Sequence, residues 1–181
     1  MPKVHLVKKA RKDNDHYNIK AGDSYYWWKF RYGGKRYSKT QPRPSQLTQS
    51  EYLSTVYGLQ EQIEDMPIDA NDLLSAADEL RSVADEIRNL GEEQESKIDN
   101  MPDSLQYSET AERLRTRASL CEELAGELES AADDIENLEV TEINEEECDE
   151  DEREMREEEA REEVVSQAQD ILSGIGWVCD E

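Results

Sequence analysis

The chain has 181 residues and a formal net charge of -24, with 21 Lys+Arg against 45 Asp+Glu. Leu, Ile, Val and Phe supply only 33 of the 181 residues, so burial offsets the entropy of ordering poorly and a large enzyme core is not expected. No apolar run is long enough to span a membrane, and the basic N-terminus lacks the apolar stretch of a signal peptide. These features predict a soluble, cytoplasmic protein.

Charge and aromatic residues are distributed unevenly. Residues 1–50 hold 12 Lys+Arg and 3 acids, a net charge of +9, whereas residues 51–181 hold 9 Lys+Arg and 42 acids, a net charge of -33. Eight of the 12 aromatic residues also lie before residue 50. We therefore predict three regions, which are a basic aromatic β-ribbon head over 1–44, a helical region over 45–140, and an acidic helix with a tail over 141–181.

The head has the pattern of a β-hairpin. An aromatic stretch over 24–32 is followed by Gly33-Gly34 and a basic stretch over 35–40, which predicts a two-residue turn with both glycines at positive φ. In this register Phe30 faces Tyr37. The side opposite those two residues would carry Tyr25, Trp27, Lys29, Arg31, Arg36, Ser38 and Thr40. Residues 4–7 are expected to add a third strand, because a lone hairpin is marginally stable.

The helical region follows Pro44. A first helix is predicted over 49–65, from the capping box Thr48-Gln-Ser-Glu51, and a second over 70–99, capped by Asp69. The seam of the second helix comprises Leu73, Ala77, Leu80, Ala84, Ile87, Gln94 and Ile98. A third helix has a coiled-coil seam of Ala111, Leu114, Ala118, Cys121, Ala125, Leu128, Ala132 and Ile135. The short loop between them predicts an antiparallel hairpin, but the seam also suits a homo-oligomer.

The C-terminal region is dominated by acidic residues, which make up 14 of the 22 residues over 142–163. Acids precede arginines at i, i+4 in Asp149/Arg153, Glu152/Arg156 and Glu157/Arg161, which favours a solvated helix. A short apolar face then comprises Val164, Val165, Ala168, Ile171 and Leu172, with Gly174 as the C-cap. The predicted fold class is thus α+β, mostly α: a three-stranded head, an antiparallel helical hairpin or coiled coil, and an acidic C-terminal helix.

The basic aromatic side of the ribbon is the most specific functional signal. Lys and Arg neutralise phosphates and aromatic rings stack on bases, so this side predicts a nucleic-acid-binding surface. The predicted binding residues are Tyr25, Trp27, Lys29, Arg31 and Arg36 on this side, together with Lys39 of the basic return strand. The alternative is that the aromatic residues are the only core of the head, while the cations keep its open face soluble. The cluster over 8–12 adds a weaker basic signal.

The acidic helix predicts a protein partner with a basic surface. The residues expected to contact it are Glu152, Glu157, Glu158, Glu159 and Trp177. The spaced carboxylates imitate the phosphates of a nucleic acid, or they are simply a solvated face. A third interpretation is that the acidic portion folds back on the basic head and competes with an external polyanion. Trp177 either docks on the partner or packs on the last helix of its own chain.

No catalytic or metal-binding pattern stands out. His5 and His16 are the only histidines, and neither has Cys, Asp or Glu at a spacing that singles out a metal site or a triad. The three cysteines, Cys121, Cys148 and Cys179, lie too far apart to indicate a zinc site or a disulfide framework. We expect a non-enzymatic protein with no catalytic residue, no metal and no cofactor.

The stretch Ser24-Tyr-Tyr-Trp-Trp-Lys-Phe-Arg-Tyr-Gly-Gly-Lys-Arg-Tyr-Ser-Lys39 resembles the ribbon of the arm-type DNA-binding domains of phage integrases and of AP2-like domains. The resemblance implies a ribbon that enters the major groove, with phosphates or bases near Lys29, Arg31, Arg36 and Lys39. The chain departs from those families because no integrase catalytic domain follows. This ribbon together with Pro-Ser-Gln-Leu-Thr-Gln-Ser-Glu and Asp-Asn-Met-Pro-Asp-Ser-Leu-Gln also resembles uncharacterised tailed-phage proteins with coiled-coil segments.

Together these patterns predict a phage-type accessory protein of the bacterial cytoplasm. Its head would contact DNA or RNA, which the sequence does not distinguish, and its acidic helices would contact a protein. The alternative is a host-directed inhibitor or scaffold, acting as a nucleic-acid mimic, that binds a basic protein surface. A virion component that assembles through the Ala-rich seam is a third interpretation. No contact with a membrane is expected.

Overall fold

The computed structural model describes residues 1–141 and 150–177, which belong to two compact units, 1–61 and 62–181. The first unit contains a sheet of strands β1 (His5–Val7), β2 (Tyr25–Lys29) and β3 (Lys35–Ser38). The helices are α1 (Glu51–Glu64), α2 (Leu73–Asp99), α3 (Glu109–Glu136) and α4 (Glu150–Ser173), and the boundary between the units falls in the last turn of α1. The predicted α+β, mostly α class is confirmed.

The sheet of the head is antiparallel, with β2 between β1 and β3. The predicted third strand is confirmed at His5–Val7, where His5 pairs with Trp27 and Val7 with Tyr25. Aromatic and β-branched residues fit the pleated, half-buried surface that a strand offers. With this added strand, β2 is hydrogen-bonded to a neighbouring strand along both of its edges.

The predicted register of the hairpin is wrong. Tyr37 pairs with Trp27 rather than with Phe30, and the strands are joined by the five residues 30–34 instead of two. The positive φ that a two-residue primed turn requires is found at neither Gly33 nor Gly34. The residue paired with Tyr37 lies three positions from the predicted one. Because side chains alternate between the faces of a sheet, a shift by an odd number of residues places Tyr37 on the face opposite to the predicted one.

The corrected register defines two faces of the sheet. The Trp27 face comprises His5, Val7, Tyr25, Trp27, Lys29, Lys35 and Tyr37. The Trp28 face comprises Leu6, Tyr26, Trp28, Arg36 and Ser38. Trp28 is 3% exposed and Phe30, just beyond the strand, is 8% exposed. Burial of these two large aromatic side chains fixes which face of β2 turns inward, and the pairing of Tyr37 with Trp27 places Arg36 rather than Tyr37 on that face.

The segment between β3 and α1 is hydrogen-bonded to α1. The short 3-10 helix Pro44–Leu47 is held by Ser45, whose amide and hydroxyl donate hydrogen bonds to Glu61 at 2.9 and 2.7 Å. Helix α1 begins at Glu51, and Ser50 Oγ accepts from the Leu53 amide at 3.4 Å. The helix buries Tyr52, Val56 and Leu59 at helical spacing.

Helices α2 and α3 form the predicted antiparallel hairpin. Their buried residues are Ala76, Ala77, Leu80, Val83, Ala84, Ile87, Leu90, Gly91, Gln94 and Ile98 on α2, and Ala111, Ala118, Cys121, Leu124, Ala125, Leu128, Ala131, Ala132 and Ile135 on α3. The seam therefore pairs within one chain. Leu73 and Leu114 are only half-buried. Cys121 is 2% exposed and acts as a small core residue, as predicted.

The second helix begins later than predicted because its cap is Asp72, whose side chain accepts from the Ser75 amide. Asp69 instead closes a turn before the helix by accepting from the Asn71 amide at 2.9 Å. At its other end, α2 is followed by a loop that leads to Ser108, the cap of α3. Aspartate and serine suit both positions because their oxygens satisfy amides that a helix leaves unpaired.

Ion pairs line the edge of the hairpin. Arg81 bonds to Glu136 and, at 2.8 Å, to Asp133, and Arg88 bonds to Glu129 at 3.0 Å. The hydrogen bond to Glu136, followed by that to Asp133, raises the pKa of Arg81 further above its ordinary value. These pairs are largely exposed, so they contribute little to stability compared with the apolar seam.

Helix α4 contacts α3 through the predicted apolar face. Val164 is 3% exposed and Ala168 is fully buried. Beyond the helix, the Gly176 amide donates to Glu127 of α3 at 2.9 Å. Gly174 ends the helix without a positive φ, and its amide donates to Asp170 and Ile171. Asp149 of the predicted pair Asp149/Arg153, the beginning of the acidic run, Cys148 and Cys179 lie outside the described residues.

Over 1–141 and 150–177, no helix combines the length and the apolar character that crossing a membrane requires.

Two helix glycines predict opposite effects of the same substitution. A Cβ at Gly91 would lie 3.0 Å from Cys121 Cβ and 3.4 Å from the Ala118 carbonyl oxygen, whereas a Cβ at Gly126 would meet nothing within 4 Å. Alanine gains about 1 kcal/mol over glycine in a helix interior, but overpacking costs about 1–3 kcal/mol. Gly91→Ala should lower the free energy of unfolding by about 1 kcal/mol and Gly126→Ala should raise it by about 1 kcal/mol. Urea unfolding followed by helical circular dichroism measures both, and stabilisation by Gly91→Ala would contradict the close approach.

Candidate nucleic-acid interface

The segment between β1 and β2 is a basic loop that is bonded into a defined shape. The Ala10 amide donates to the Asp23 carbonyl at 2.7 Å, and the Gly22 amide donates to the Ala10 carbonyl at 2.9 Å. Asn14 and Ile19 exchange two backbone hydrogen bonds, at 2.7 and 3.0 Å. Ala10 and Ile19 are 5% and 2% exposed, so apolar burial adds to these bonds. The backbone that carries Lys9, Arg11 and Lys12 is therefore held in place.

Two residues of this loop have positive φ, and both lie at reversals of the backbone. Asn18 has φ 52° and Gly22 has φ 100°. Asparagine tolerates the left-handed region better than most residues, and glycine carries no penalty there. The chain thereby turns back within the loop and reaches β2.

Asp23 joins the end of this loop to β3. Its carboxylate accepts from the Lys20 amide at 3.0 Å and pairs with Lys39 Nζ at 2.9 Å. The hydrogen bond from the Lys20 amide, followed by the hydrogen bond with Lys39, holds the pKa of Asp23 below its ordinary value. Lys39 was predicted to contact nucleic acid, and the structure gives it this carboxylate as a partner.

A cleft of about 470 Å³ lies between the basic loop and the Trp27 face. Its lining comprises Val7, Lys9, Arg11, Lys12, Asp13, Asn14, Ile19, Tyr25 and Tyr37. The ring centroids of Tyr25 and Tyr37 lie 6.0 Å apart, and Tyr17 lies 5.1 Å from Tyr37 on the ring centroids. The cleft thus combines an apolar floor, aromatic walls and a cationic rim.

Trp27 lies beside this cleft but already has partners for its ring. His5, from β1, stacks on it with centroids 4.3 Å apart and planes 10° apart. Lys35, from β3, places Nζ 4.4 Å from the ring centroid. Trp27 was predicted to stack on bases, but these contacts use much of its ring surface. Tyr25 and Tyr37 offer the aromatic surface that faces the cleft.

The structure brings together only part of the predicted surface. Tyr25, Trp27 and Lys29 share the Trp27 face. Arg31 lies in the connection between β2 and β3, with its guanidinium 5.3 Å from the Tyr32 ring centroid. Arg36 was grouped with Trp27, and this is wrong because the corrected register places it on the Trp28 face, 5.6 Å from the Phe30 ring centroid.

His5, Lys35 and Tyr37 belong to the Trp27 face but were missing from the predicted surface. The cluster over 8–12, which forms part of the basic loop, gives only a weak basic signal in the sequence. The missing information was the register, because strand alternation places Lys35 and Tyr37 on this face once Trp27 is paired with Tyr37.

The cations of the cleft lining and of the Trp27 face are available to an anion. Within the part of the chain that the structure describes, no ion pair involves Lys9, Arg11, Lys12, Lys29 or Lys35. Asp13 is the one carboxylate of the cleft lining, and it accepts from the Ala21 amide at 2.5 Å. A phosphate approaching here meets unpaired positive charge.

The predicted partner-binding residues of α4 and of the tail beyond it differ in whether they already have an ion-pair partner. Glu152 pairs with Arg156 at 2.8 Å, and Glu157 pairs with Arg153 and Arg161 at 3.5 and 3.6 Å. Two of the predicted pairs, Glu152/Arg156 and Glu157/Arg161, are thereby confirmed. Glu158 and Glu159 are exposed, and Trp177 is half-buried beside the tail residue that bonds to α3.

Comparison with protein-family models, curated proteins and solved structures finds no match for this chain. The resemblances to phage proteins, integrase arms and AP2-like domains therefore stay predictions. Among the described residues, no group of three or more His, Cys, Asp and Glu side chains is arranged to hold a metal ion.

The bonds of Asp23 predict a pH-dependent change in the loop. Folding lowers the pKa of Asp23, so the ionised carboxylate stabilises the folded state at pH values above the ordinary pKa of 3.8. This contribution is lost as the pH falls through the lower pKa of the folded state. The amide proton shift of Lys20, followed by NMR, should titrate with a midpoint below 3.8. Asp23→Asn should abolish this transition. A midpoint at or above 3.8 would show that the carboxylate is not held by the amide.

Proposed function

We propose that the protein is a non-enzymatic nucleic-acid-binding protein that contacts phosphates through the basic loop and the Trp27 face. The observation that carries the proposal is a group of cations without ion pairs among the described residues: Lys9, Arg11 and Lys12 in the lining of the cleft, and Lys29 and Lys35 on the Trp27 face. Phosphates bound by such cations release condensed counterions, which supplies most of the affinity of sequence-independent binding.

The defined shape of the loop supports this proposal. A flexible basic segment would lose conformational entropy when it binds, whereas the backbone bonds of Ala10, Asn14 and Ile19 already hold this loop in the free protein. The aromatic residues add surfaces on which bases stack, irrespective of sequence. The site thus supplies charge and stacking surface with a preformed geometry.

The net charge of -24 sets the conditions under which binding occurs. At low ionic strength the whole chain repels a polyanion, even though residues 1–50 carry a net +9. At about 0.1 M salt the Debye length is about 10 Å, so distant carboxylates are screened while direct contacts to phosphate persist. Affinity should therefore be greatest at moderate salt rather than at the lowest salt.

Arg11→Gln and Arg36→Gln form a matched test of the proposed surface. Both remove one guanidinium, but Arg11 lines the cleft and Arg36 lies on the Trp28 face. Above the salt optimum, Arg11→Gln should reduce the slope of log K against log salt concentration by about 0.7–0.9, the value for one phosphate contact. Arg36→Gln should change it little. Fluorescence anisotropy of the full chain with labelled oligonucleotides measures both slopes.

Two outcomes of this experiment count against the proposal. The first is that the unaltered chain fails to bind either single-stranded or double-stranded nucleic acid at any salt concentration. The second is that Arg11→Gln and Arg36→Gln reduce the slope equally, because binding would then follow total charge rather than the Trp27 face.

A protein partner with a basic surface is the second candidate. Glu158, Glu159 and Glu162 are exposed on α4 and have no ion pair within the described ranges. Such carboxylates are free to pair with cations on another protein, as Glu157 pairs with arginines of its own helix.

The double variant Glu158→Gln/Glu159→Gln tests this candidate. It should slow association with a basic partner protein in a salt-dependent way, because exposed charges act mainly on the rate of encounter. Glu152→Gln/Glu157→Gln is the control, since it removes the same charge from carboxylates that already have arginine partners. Surface plasmon resonance gives the association rates, and equal rates for the two double variants would eliminate a specific role of Glu158 and Glu159.

A further inference from the structure

We infer that the cleft between the basic loop and the Trp27 face receives one unstacked nucleobase, and that the head consequently prefers single-stranded nucleic acid to duplex. This inference rests on the proposed function and deepens it by naming the form of nucleic acid. It depends on the shape of the cleft and on the polar groups in its lining, in addition to the charge around it.

The size and the walls of the cleft suit a nucleobase with part of its sugar. Its volume of about 470 Å³ falls within the range of small-molecule sites, about 300–1,000 Å³. Ile19, which is 2% exposed, and half-buried Val7 give apolar surface, and Tyr25 and Tyr37 add rings inclined at 49° to each other. A base is flat with an apolar π-face, so it gains by stacking on one of these rings.

The polar side chains of the cleft suit the edge of a base. The carboxamide of Asn14 makes no side-chain hydrogen bond to any described residue, so it keeps both a donor and an acceptor. Asp13 offers a carboxylate that is fixed by the Ala21 amide and can accept from a base amino group. These two groups lie in a lining whose rim carries Lys9, Arg11 and Lys12. Those cations can bind the phosphates on either side of the inserted nucleotide.

A duplex does not offer this arrangement. Its bases are stacked on both faces and paired along their edges, so insertion of one base requires that it be flipped out of the helix. A single strand presents its bases without that cost. Stacking on an aromatic side chain contributes about 5- to 150-fold in affinity per base, and this gain is available to the single strand alone.

Tyr25 and Tyr26 provide matched variants, because they are adjacent in β2, both half-buried, and on opposite faces. We would titrate the full chain against a labelled single strand and the duplex of the same sequence, with DNA and RNA arms. The unaltered chain should bind at least one single strand about tenfold more tightly than its duplex. Tyr25→Leu should weaken single-strand binding about tenfold more than it weakens duplex binding. Tyr26→Leu should change neither, and Tyr25→Phe should keep the preference.

The results separate this inference from the proposed function. If single strand and duplex bind equally in both arms, with the salt dependence expected of the basic loop, nucleic-acid binding stands and the base-binding cleft is refuted. If neither binds, both fail. If Tyr25→Leu loses the circular dichroism of the folded head, Asn14→Ala replaces it, because no side-chain bond of Asn14 to a described residue is lost. Asn14→Ala should also weaken single-strand binding selectively, and equal weakening of both forms overturns the inference.

Discussion

The pairing of Trp27 with Tyr37 is the constraint on which the candidate site depends. Neighbouring residues of a strand point to opposite faces, so burial of Trp28 places Trp27 on the other face, and the pairing then determines which residues of β3 join it. With Trp28 buried, Trp27 and Tyr25 turn outward, and Lys35 and Tyr37 join them from the next strand. The same pairing places Arg36 on the Trp28 face. One register therefore decides which cations and which rings can act together.

The basic loop makes the candidate site on this face concave. A three-stranded sheet alone offers a nearly flat surface, and the loop adds a wall because its backbone is bonded at Ala10, Asn14 and Ile19. The lysines and the arginine on this wall pair with no carboxylate of the described chain, although acids outnumber bases by 45 to 21. In a chain of this composition, unpaired cations beside a preformed cleft are the feature that most favours a role in binding a polyanion.

The helical unit is held together by close approach rather than by large side chains. Alanines line both sides of the seam between α2 and α3, and a Cβ at Gly91 would lie 3.0 Å from Cys121 Cβ. Small residues let the backbones approach and bring the larger side chains Leu80, Ile87 and Leu128 into full burial. The half-buried arginines and the exposed carboxylates along the edge contribute little to stability compared with this seam.

The sequence by itself determined the fold class, the position of most helices, the seam and the third strand, because periodicity and capping residues act locally. It also located the basic aromatic head. The tertiary structure alone decided the strand register, since the glycine pair suits a two-residue turn locally, whereas the pairing of Tyr37 with Trp27 leaves the five residues 30–34 between the strands. It alone decided that the seam pairs within the chain, and that the loop, Tyr25 and Tyr37 enclose a cleft. These features depend on contacts between residues distant in sequence, and no local pattern records such contacts.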